Sequence, residues 1–148
     1  MGWPLDKQVA LFFGNIRDDK NLHVLLPALR KSADASVIFT SSSVGRRGRP
    51  NWGAYAVSKF ATEGLSQVLA SEVQGNSAIR VNTIVPGNVQ TPRQMKWYTP
   101  EGEAEIVAAQ CLDGRIQPSD VAAMALFLAS DDSRYCTAHN YWVDAGWR

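Results

Sequence analysis

Apolar and polar positions in this chain alternate between short β-branched runs and longer stretches with helical spacing. Ser36 to Ser41 reads Ser-Val-Ile-Phe-Thr-Ser, and Ile79 to Val85 reads Ile-Arg-Val-Asn-Thr-Ile-Val. Short, mostly apolar runs of this kind are typical of strands that are buried on both faces of a parallel sheet. Asn140 to Asp144 has a similar character near the end of the chain. The pattern therefore predicts three strands.

Apolar residues at helical spacing fill the intervals between these strands. We predict a long helix from Ala54 to Val73 and a shorter one from Asn21 to Lys31, which Pro27 should kink. Two more helices are predicted to begin at Thr99-Pro100, where a capping side chain precedes proline, and at Gln117 to Asp120. On the long helix, most apolar residues are expected on one broad face: Val57, Phe60, Ala61, Leu65, Val68, Leu69 and Val73. On the last helix, the residues expected to be buried are Val121, Met124, Leu126, Phe127 and Leu128.

Strands and helices alternate along the chain, which indicates an α/β fold: a parallel sheet with helices on both faces. No internal repeat or linker divides the sequence, so we interpret residues 1–148 as a single domain. Val9 to Gly14 is a short apolar run that suits either a strand or a buried helical turn. We favour a helix there, with a fourth strand as the alternative.

Ser42, Tyr55 and Lys59 are the candidate residues for chemistry. In the predicted long helix, Tyr55 and Lys59 are four residues apart and lie on the same face. An ammonium group beside a phenol favours the phenolate, so this pair can exchange a proton with a substrate oxygen. Ser42, on the loop before the helix, can hold that oxygen by a hydrogen bond. Alternatively, the pair lies on a helix surface and the serines only form a turn.

Polar groups follow two of the predicted strands at the point where each ends. Ser42 comes just after the first strand, and Pro86-Gly87 comes just after the second. Parallel strands end at the same edge of a sheet, and open α/β sheets bind ligands there. We therefore expect the serine loop, the start of the long helix and the Pro-Gly turn to share one cleft.

In this order, the motifs resemble the C-terminal half of a short-chain dehydrogenase/reductase over about Asn15 to Trp147. The resemblance implies that Ser42 is the catalytic serine, Tyr55 the acid/base and Lys59 the catalytic lysine. It further implies that Asn15 holds a water in a proton relay. The reaction implied is hydride transfer between NAD or NADP and a carbonyl or secondary alcohol.

The segment Pro86-Gly87-Asn-Val-Gln-Thr91 resembles the Pro-Gly segment of the same family. In that segment, Val89 and Thr91 would contact the carboxamide of the nicotinamide ring. The resemblance also implies that Lys59 binds the ribose attached to the nicotinamide. The full set of cofactor-binding residues that it implies is Tyr55, Lys59, Pro86, Gly87, Val89 and Thr91.

The family's Gly-rich turn, which brings the pyrophosphate to a helix N-terminus, has no counterpart in this sequence. The early glycines are Gly2 and Gly14 alone. We therefore expect a truncated, partial Rossmann-like domain. It would lack the half that binds adenosine and that determines the choice between NAD and NADP. The strand from Ser36 to Ser41 would then have an unpaired edge.

The sequence from Val85 onward is most similar to pentose-sugar dehydrogenases such as xylose dehydrogenase. The segment from Ser41 to Gly64 resembles another reductase branch of the same family. A sugar is therefore among the expected small-molecule substrates. The alternative is a non-catalytic scaffold, truncated or chimeric, that folds and oligomerises without turnover. Asn21 to Lys31 and Ala54 to Val73 correspond to the family's dimer helices, so a homo-oligomer is expected.

Composition excludes several other classes. A chain of 148 residues with 45% hydrophobic and 20% charged residues fits a soluble globular protein, and a formal charge of +1 gives no attraction to nucleic acid or membrane. Two cysteines without a secretory signal suggest reduced thiols in the cytoplasm. Cys136 and His139 have metal-ligand spacing, but no second ligand pair accompanies them. For the arginines at 46, 47 and 49, a solvated loop is favoured over contact with a phosphate or acidic substrate.

Overall fold

In the part of the chain that the structure describes, four parallel strands form one sheet in the order β1-β2-β3-β4. The computed structural model describes residues 8–12, 27, 29–75 and 78–147. The strands are β1 (Gln8–Phe12), β2 (Ala35–Thr40), β3 (Ile79–Pro86) and β4 (Asn140–Val143). The helices are α1 (Gly53–Glu72), α2 (Pro92–Met95), α3 (Pro100–Ala108) and α4 (Pro118–Ala129). Two short 3₁₀ turns span Ser43–Gly45 and Asp131–Ser133. The predicted α/β class and the three predicted strands are confirmed.

The helix favoured for Val9 to Gly14 is wrong, because residues 8–12 form strand β1. This strand pairs in parallel with β2, with Gln8 opposite Ala35 and Phe12 opposite Phe39. The prediction that β2 would have an unpaired edge is therefore also wrong. Backbone groups of a buried strand need partners on both sides. Strand β1 supplies these partners for one edge of β2. The periodicity of the run from Val9 to Gly14 does not by itself indicate this pairing.

Helices cover both faces of the sheet, as predicted. Val37 and Phe39 of β2 pack with Leu69 of α1, whereas Ile38 packs with Leu128 of α4. Successive side chains on a strand point to opposite faces, so α1 and α4 lie on opposite sides of the sheet. The connections β2–α1–β3 and β3–α4–β4 advance across the sheet in the same direction on opposite faces. They therefore have opposite hands, and one departs from the right-handed rule.

Helix α1 buries only part of the face that its apolar residues predict: Leu69 and Val73 are buried, and Leu65 packs against them, whereas the residues nearer its start are exposed. Val57 is 68% exposed and Phe60 is 48% exposed. The buried positions are mostly polar: Ala56, Lys59, Thr62, Glu63, Ser66 and Leu69. Hydrogen bonds to the strand ends and to the serine loop satisfy several of these groups, which makes their burial tolerable. In α4, Leu128 is buried as expected, whereas Phe127 is 37% exposed.

The predicted helix starts at Thr99 and Gln117 are confirmed. The Thr99 hydroxyl accepts a hydrogen bond from the Gly102 N–H, and the Asp120 carboxylate accepts one from the Gln117 N–H. Of the helix predicted from Asn21 to Lys31, residues 21–26 and 28 lie outside the described residues, and 27 and 29 are helical. In the part of the chain that the structure describes, no helix is both long and apolar enough to span a membrane.

Candidate active site

A cavity of about 390 Å³ opens where β2 and β3 end. Its walls come from the serine loop, the start of α1, the segment after β3 and the end of the chain. The predicted site residues that line it are Ser42, Tyr55, Lys59, Pro86, Gly87, Val89 and Thr91. Asn15 lies outside the described residues. The structure thus brings together every described residue of the predicted site.

Tyr55 and Lys59 lie one turn apart on α1 and face this cavity together. The Lys59 Nζ is 5.5 Å from the centroid of the Tyr55 ring. It also donates a hydrogen bond of 2.9 Å to the carbonyl oxygen of Thr40, at the end of β2. The Trp52 ring lies 5.6 Å from the Tyr55 ring, centroid to centroid. The phenol is therefore held between an ammonium group and an aromatic side chain.

Lys59 is nearly inaccessible, with 3% of its surface exposed. Burial removes water from the ammonium group and lowers the pKa of Lys59 below its ordinary value of 10.5. The Thr40 carbonyl replaces part of the lost hydration and fixes the direction of the side chain. The result is a positioned cation at the base of the cavity, close to the Tyr55 ring.

Ser41 and Ser42 have different roles although they are neighbours. Ser42 precedes the 3₁₀ turn, and its carbonyl oxygen accepts a hydrogen bond of 2.8 Å from the Gly45 N–H. Its side chain makes no capping bond to that turn and lines the cavity. The Ser41 hydroxyl instead donates to the Glu63 carboxylate over 2.7 Å. The hydroxyl of Ser42 is therefore the one placed to meet a ligand.

Glu63 is a site-supporting residue that the sequence analysis missed. Its buried carboxylate accepts hydrogen bonds from Ser41, from the Arg46 Nε over 2.9 Å and from the Asn140 Nδ2 over 2.7 Å. It lies one helical turn beyond Lys59, on the same face of α1. That spacing was the available signal, because the face of α1 that carries Lys59 towards the sheet also carries Glu63 inward.

The Pro-Gly segment is held tightly against the end of the chain. The Gly87 N–H donates to the Val143 carbonyl over 2.9 Å. A Cβ atom at Gly87 would lie only 2.8 Å from the Cα of Asp144, so this close approach requires glycine. Val89 pairs with Ile116 as an isolated parallel bridge. The cavity wall after β3 is therefore fixed by backbone contacts.

Past this segment, a polar cluster that the sequence analysis did not identify supports the loop. The Asn88 amide donates to the Tyr98 hydroxyl over 3.0 Å. The guanidinium of Arg115 lies 5.4 Å from the centroid of the Tyr98 ring and forms an ion pair with Glu103. These residues are distant in sequence and carry no shared motif. Asn88 and Tyr98 nevertheless line the cavity.

The three loop arginines have separate environments. Arg46 forms an ion pair with Glu63, and Arg47 is exposed. Arg49 lines the cavity, with its guanidinium carbon 5.1 Å from the centroid of the Trp147 ring. The expectation of a solvated loop therefore fits Arg47 and also Arg46, whose side chain is 53% exposed although it pairs with Glu63, whereas Arg49 is half-buried.

Comparisons with known proteins concern the family and the fold. A family model described as enoyl-(acyl carrier protein) reductase matches residues 21–148. D-xylose 1-dehydrogenase of Caulobacter vibrioides is 53% identical over 122 residues, which cover 82% of this chain and 49% of that protein. The chain spans about half the length of the curated relatives it matches.

Solved structures give the same result. A candidate short chain dehydrogenase from Shigella flexneri, in complex with NADP, superposes with a TM-score of 0.67 at 41% identity, covering 84% of this chain and 48% of that one. A 7α-hydroxysteroid dehydrogenase in complex with NADH and 7-oxo glycochenodeoxycholic acid has a TM-score of 0.79, covering 96% of this chain and 63% of that one. At 24% identity, this second likeness concerns the fold alone. By its motifs, its fold and the matched family model, the chain belongs to the short-chain dehydrogenase/reductase family.

Proposed function

We propose that this chain carries the catalytic half of an NAD(P)-dependent oxidoreductase that interconverts a secondary alcohol and a carbonyl. The observation that carries the proposal is the meeting of Tyr55, Lys59 and Ser42 in one cavity, with the Lys59 ammonium 5.5 Å from the Tyr55 ring centroid. A phenol, a cation and a free hydroxyl at the carboxyl ends of parallel strands are the groups that proton transfer to a substrate oxygen needs.

The residues present fit the nicotinamide end of such a cofactor. A cavity of about 390 Å³ is within the range of small-ligand sites. Gly87, whose missing Cβ allows the backbone to approach Asp144, keeps the segment after β3 close to the cavity. Tyr55 and Lys59 would hold the ribose, and the residues that would hold the nicotinamide ring are Pro86, Gly87, Val89 and Thr91. When bound, the nicotinamide supplies or accepts a hydride at the substrate carbon.

In the oxidation direction, the substrate hydroxyl is held by Ser42 and gives its proton to the Tyr55 phenolate. The positive charge of Lys59 stabilises that phenolate, and the buried position of Lys59 makes the interaction stronger than it would be in water. In the reduction direction, the Tyr55 hydroxyl returns the proton to the carbonyl oxygen. Asn15, which belongs to the undescribed part of the chain, stays a prediction for the water relay.

For the substrate, the similarity to D-xylose 1-dehydrogenase supports a sugar or a related polyol. The cofactor choice stays open between NAD and NADP, because a solved structure 41% identical to this chain contains NADP and another, 26% identical, contains NADH. Substrate loops differ widely among proteins of one fold, so this assignment rests on similarity.

A homo-oligomer is part of the proposal. Val57, Phe60 and Val68 form an exposed apolar face on α1, which the rest of the described chain does not cover. Apolar patches of this kind mark association surfaces in soluble proteins. A second copy of the chain is the partner that we propose for this face.

The function is tested in two steps. First, NAD or NADP is titrated while tryptophan fluorescence is followed, because Trp52 and Trp147 both line the cavity. Saturation at millimolar cofactor or below is expected; its absence would favour the non-catalytic scaffold. Second, Tyr55→Phe should abolish hydride transfer and leave the unfolding curve unchanged. Tyr135→Phe, a matched change at an exposed tyrosine, should keep the full rate.

A further inference from the structure

We propose that Arg49 makes one wall of the cavity a carboxylate-binding site, so that the sugar or polyol substrate of this protein carries a carboxylate: a sugar-type hydroxy acid or the corresponding oxo acid. This inference rests on the proposed function and deepens it by naming the substrate class. It concerns a residue that the proton transfer among Ser42, Tyr55 and Lys59 does not use.

Arg49 is held in a position suited to a planar anion. It is half-buried, it lines the same cavity as Ser42 and Tyr55, and its guanidinium carbon is 5.1 Å from the Trp147 ring centroid. A guanidinium that contacts an aromatic ring through its face keeps its in-plane N–H groups available for hydrogen bonds. Those N–H groups match the two oxygens of a carboxylate.

Arg49 has no carboxylate partner among the residues that the structure describes. The other arginines that support the site are paired: Arg46 with Glu63, and Arg115 with Glu103. The Trp147 ring compensates for part of the hydration that Arg49 has lost, but it leaves the in-plane N–H groups without an anionic acceptor. An anionic group on the ligand supplies the missing partner.

The charged residues that line the cavity also favour an anionic ligand. None of the residues lining it is an aspartate or a glutamate. The other cation, Lys59, donates to the Thr40 carbonyl and lies beside Tyr55, so the proton-transfer site already uses it. A cavity whose lining charges have one sign raises the local concentration of ligands of the opposite sign.

Arg49 also lies in the part of the chain that handles substrate in the proposed reaction. It belongs to the loop between Ser42, which holds the substrate oxygen, and Tyr55, which exchanges its proton. The segment proposed to hold the nicotinamide is a separate one, after β3. We therefore assign the anion to the substrate, and treat a cofactor phosphate as the competing source of the same chemistry.

The experiment compares two probes with the same carbon chain, xylonate and xylitol, which differ in carrying a carboxylate or a hydroxymethyl group. Binding to the full chain is measured by tryptophan fluorescence and by calorimetry, in the presence and absence of cofactor. The variants are Arg49→Gln, Arg49→Lys and, as the matched control, Arg47→Gln on the same loop. Arg47 is exposed and does not line the cavity.

We expect xylonate to bind about tenfold more tightly than xylitol, and Arg49→Gln to remove this preference. Arg49→Lys should retain part of it, because it keeps the charge but not the planar fork. Arg47→Gln should leave it unchanged. Equal affinity of the wild type for both probes, no binding of either, or equal effects of Arg47→Gln and Arg49→Gln would overturn the inference.

A cofactor titration separates the two sources of the anion. If Arg49→Gln weakens cofactor binding as much as it weakens xylonate binding, the guanidinium serves a cofactor phosphate and the substrate assignment is wrong. Because these are equilibrium measurements, they do not depend on turnover. A wild-type protein that shows no preference for xylonate but carries out hydride transfer would overturn the anion site alone, and binding of xylonate without any hydride transfer would overturn the proposed reaction alone.

Discussion

The hydroxyl of Ser41 donates a hydrogen bond of 2.7 Å to the buried carboxylate of Glu63, which joins the end of β2 to the middle of α1. The same carboxylate accepts hydrogen bonds from Arg46, on the loop, and from Asn140, in β4. One anion therefore links the serine loop, helix α1 and the last strand. Ser42 follows Ser41 in the chain, and Lys59 lies one helical turn before Glu63. The linkage between Ser41 and Glu63 therefore fixes the position of Ser42 relative to Lys59.

Replacing Glu63 by glutamine should lower the free energy of unfolding by about 1 to 3 kcal/mol. The amide keeps one acceptor oxygen, so it cannot serve Ser41, Arg46 and Asn140 in their present positions. Glu72→Gln, an exposed change at the end of the same helix, should have an effect within about 0.5 kcal/mol. Urea unfolding of both variants checks this, and equal effects would show that the cluster does not stabilise the fold.

Gly45 is packed against the hydrogen bond between the Ser41 hydroxyl and the Glu63 carboxylate. A Cβ at this position would lie 2.5 Å from the Ser41 Oγ and 2.6 Å from the Glu63 Oε1. We expect Gly45→Ala to separate the two groups and to destabilise the protein by about 1 to 3 kcal/mol. Gly48→Ala is the matched control, because no heavy atom lies within 4 Å of its Cβ position. Thermal unfolding distinguishes them; a Gly45 variant as stable as the Gly48 variant would contradict the packing.

Burial of Lys59 predicts a pH dependence of stability. Its pKa is lowered from 10.5 by desolvation, so the ammonium is destabilised in the folded state. As pH rises from the lowered pKa towards 10.5, the folded protein loses this proton before the unfolded chain does. The unfolded state then binds more protons, and the free energy of unfolding rises with pH.

Lys59→Met removes this titration. The wild-type protein should therefore gain stability relative to the variant as pH increases from about 7 to about 10. Tyr141, whose pKa burial raises to about 12, is present in both proteins and cancels in the comparison. Urea unfolding across this range is the measurement, and parallel curves for the two proteins would show that Lys59 titrates as it does in water.

Much of the site was predictable because its geometry follows from regular structure. Parallel strands end at one edge of a sheet, which brings Ser42 near Pro86-Gly87, and helical spacing places Tyr55 and Lys59 on one face. The bounds of β2 and β3 follow from buried apolar runs and were predicted to within one residue.

Contacts between distant positions could not be predicted in this way. The bond from Asn140 to Glu63 spans 77 positions and depends on how β4 closes the sheet. Strand β1 was misjudged because its partner, not its own pattern, determines its conformation. Apolar periodicity predicts the burial of Leu69 and Val73 but not that of Lys59 and Glu63, because it assumes that every buried position on a helix is apolar.

The exposed apolar residues of α1 lead to the last prediction. The sheet side of α1 carries Lys59 and Glu63, and the described chain covers the apolar residues on its other side only in part, so that Phe60 remains 48% exposed. If a second copy covers this face, Phe60→Lys should place a charge in the interface and raise the dissociation constant at least about tenfold. Phe127→Lys, a matched change on α4 at the opposite face of the sheet, should leave association unchanged. Sedimentation velocity at several concentrations is the measurement. A wild-type monomer at every concentration, or a Phe60 variant that sediments as the wild type does, would leave this face without the proposed partner.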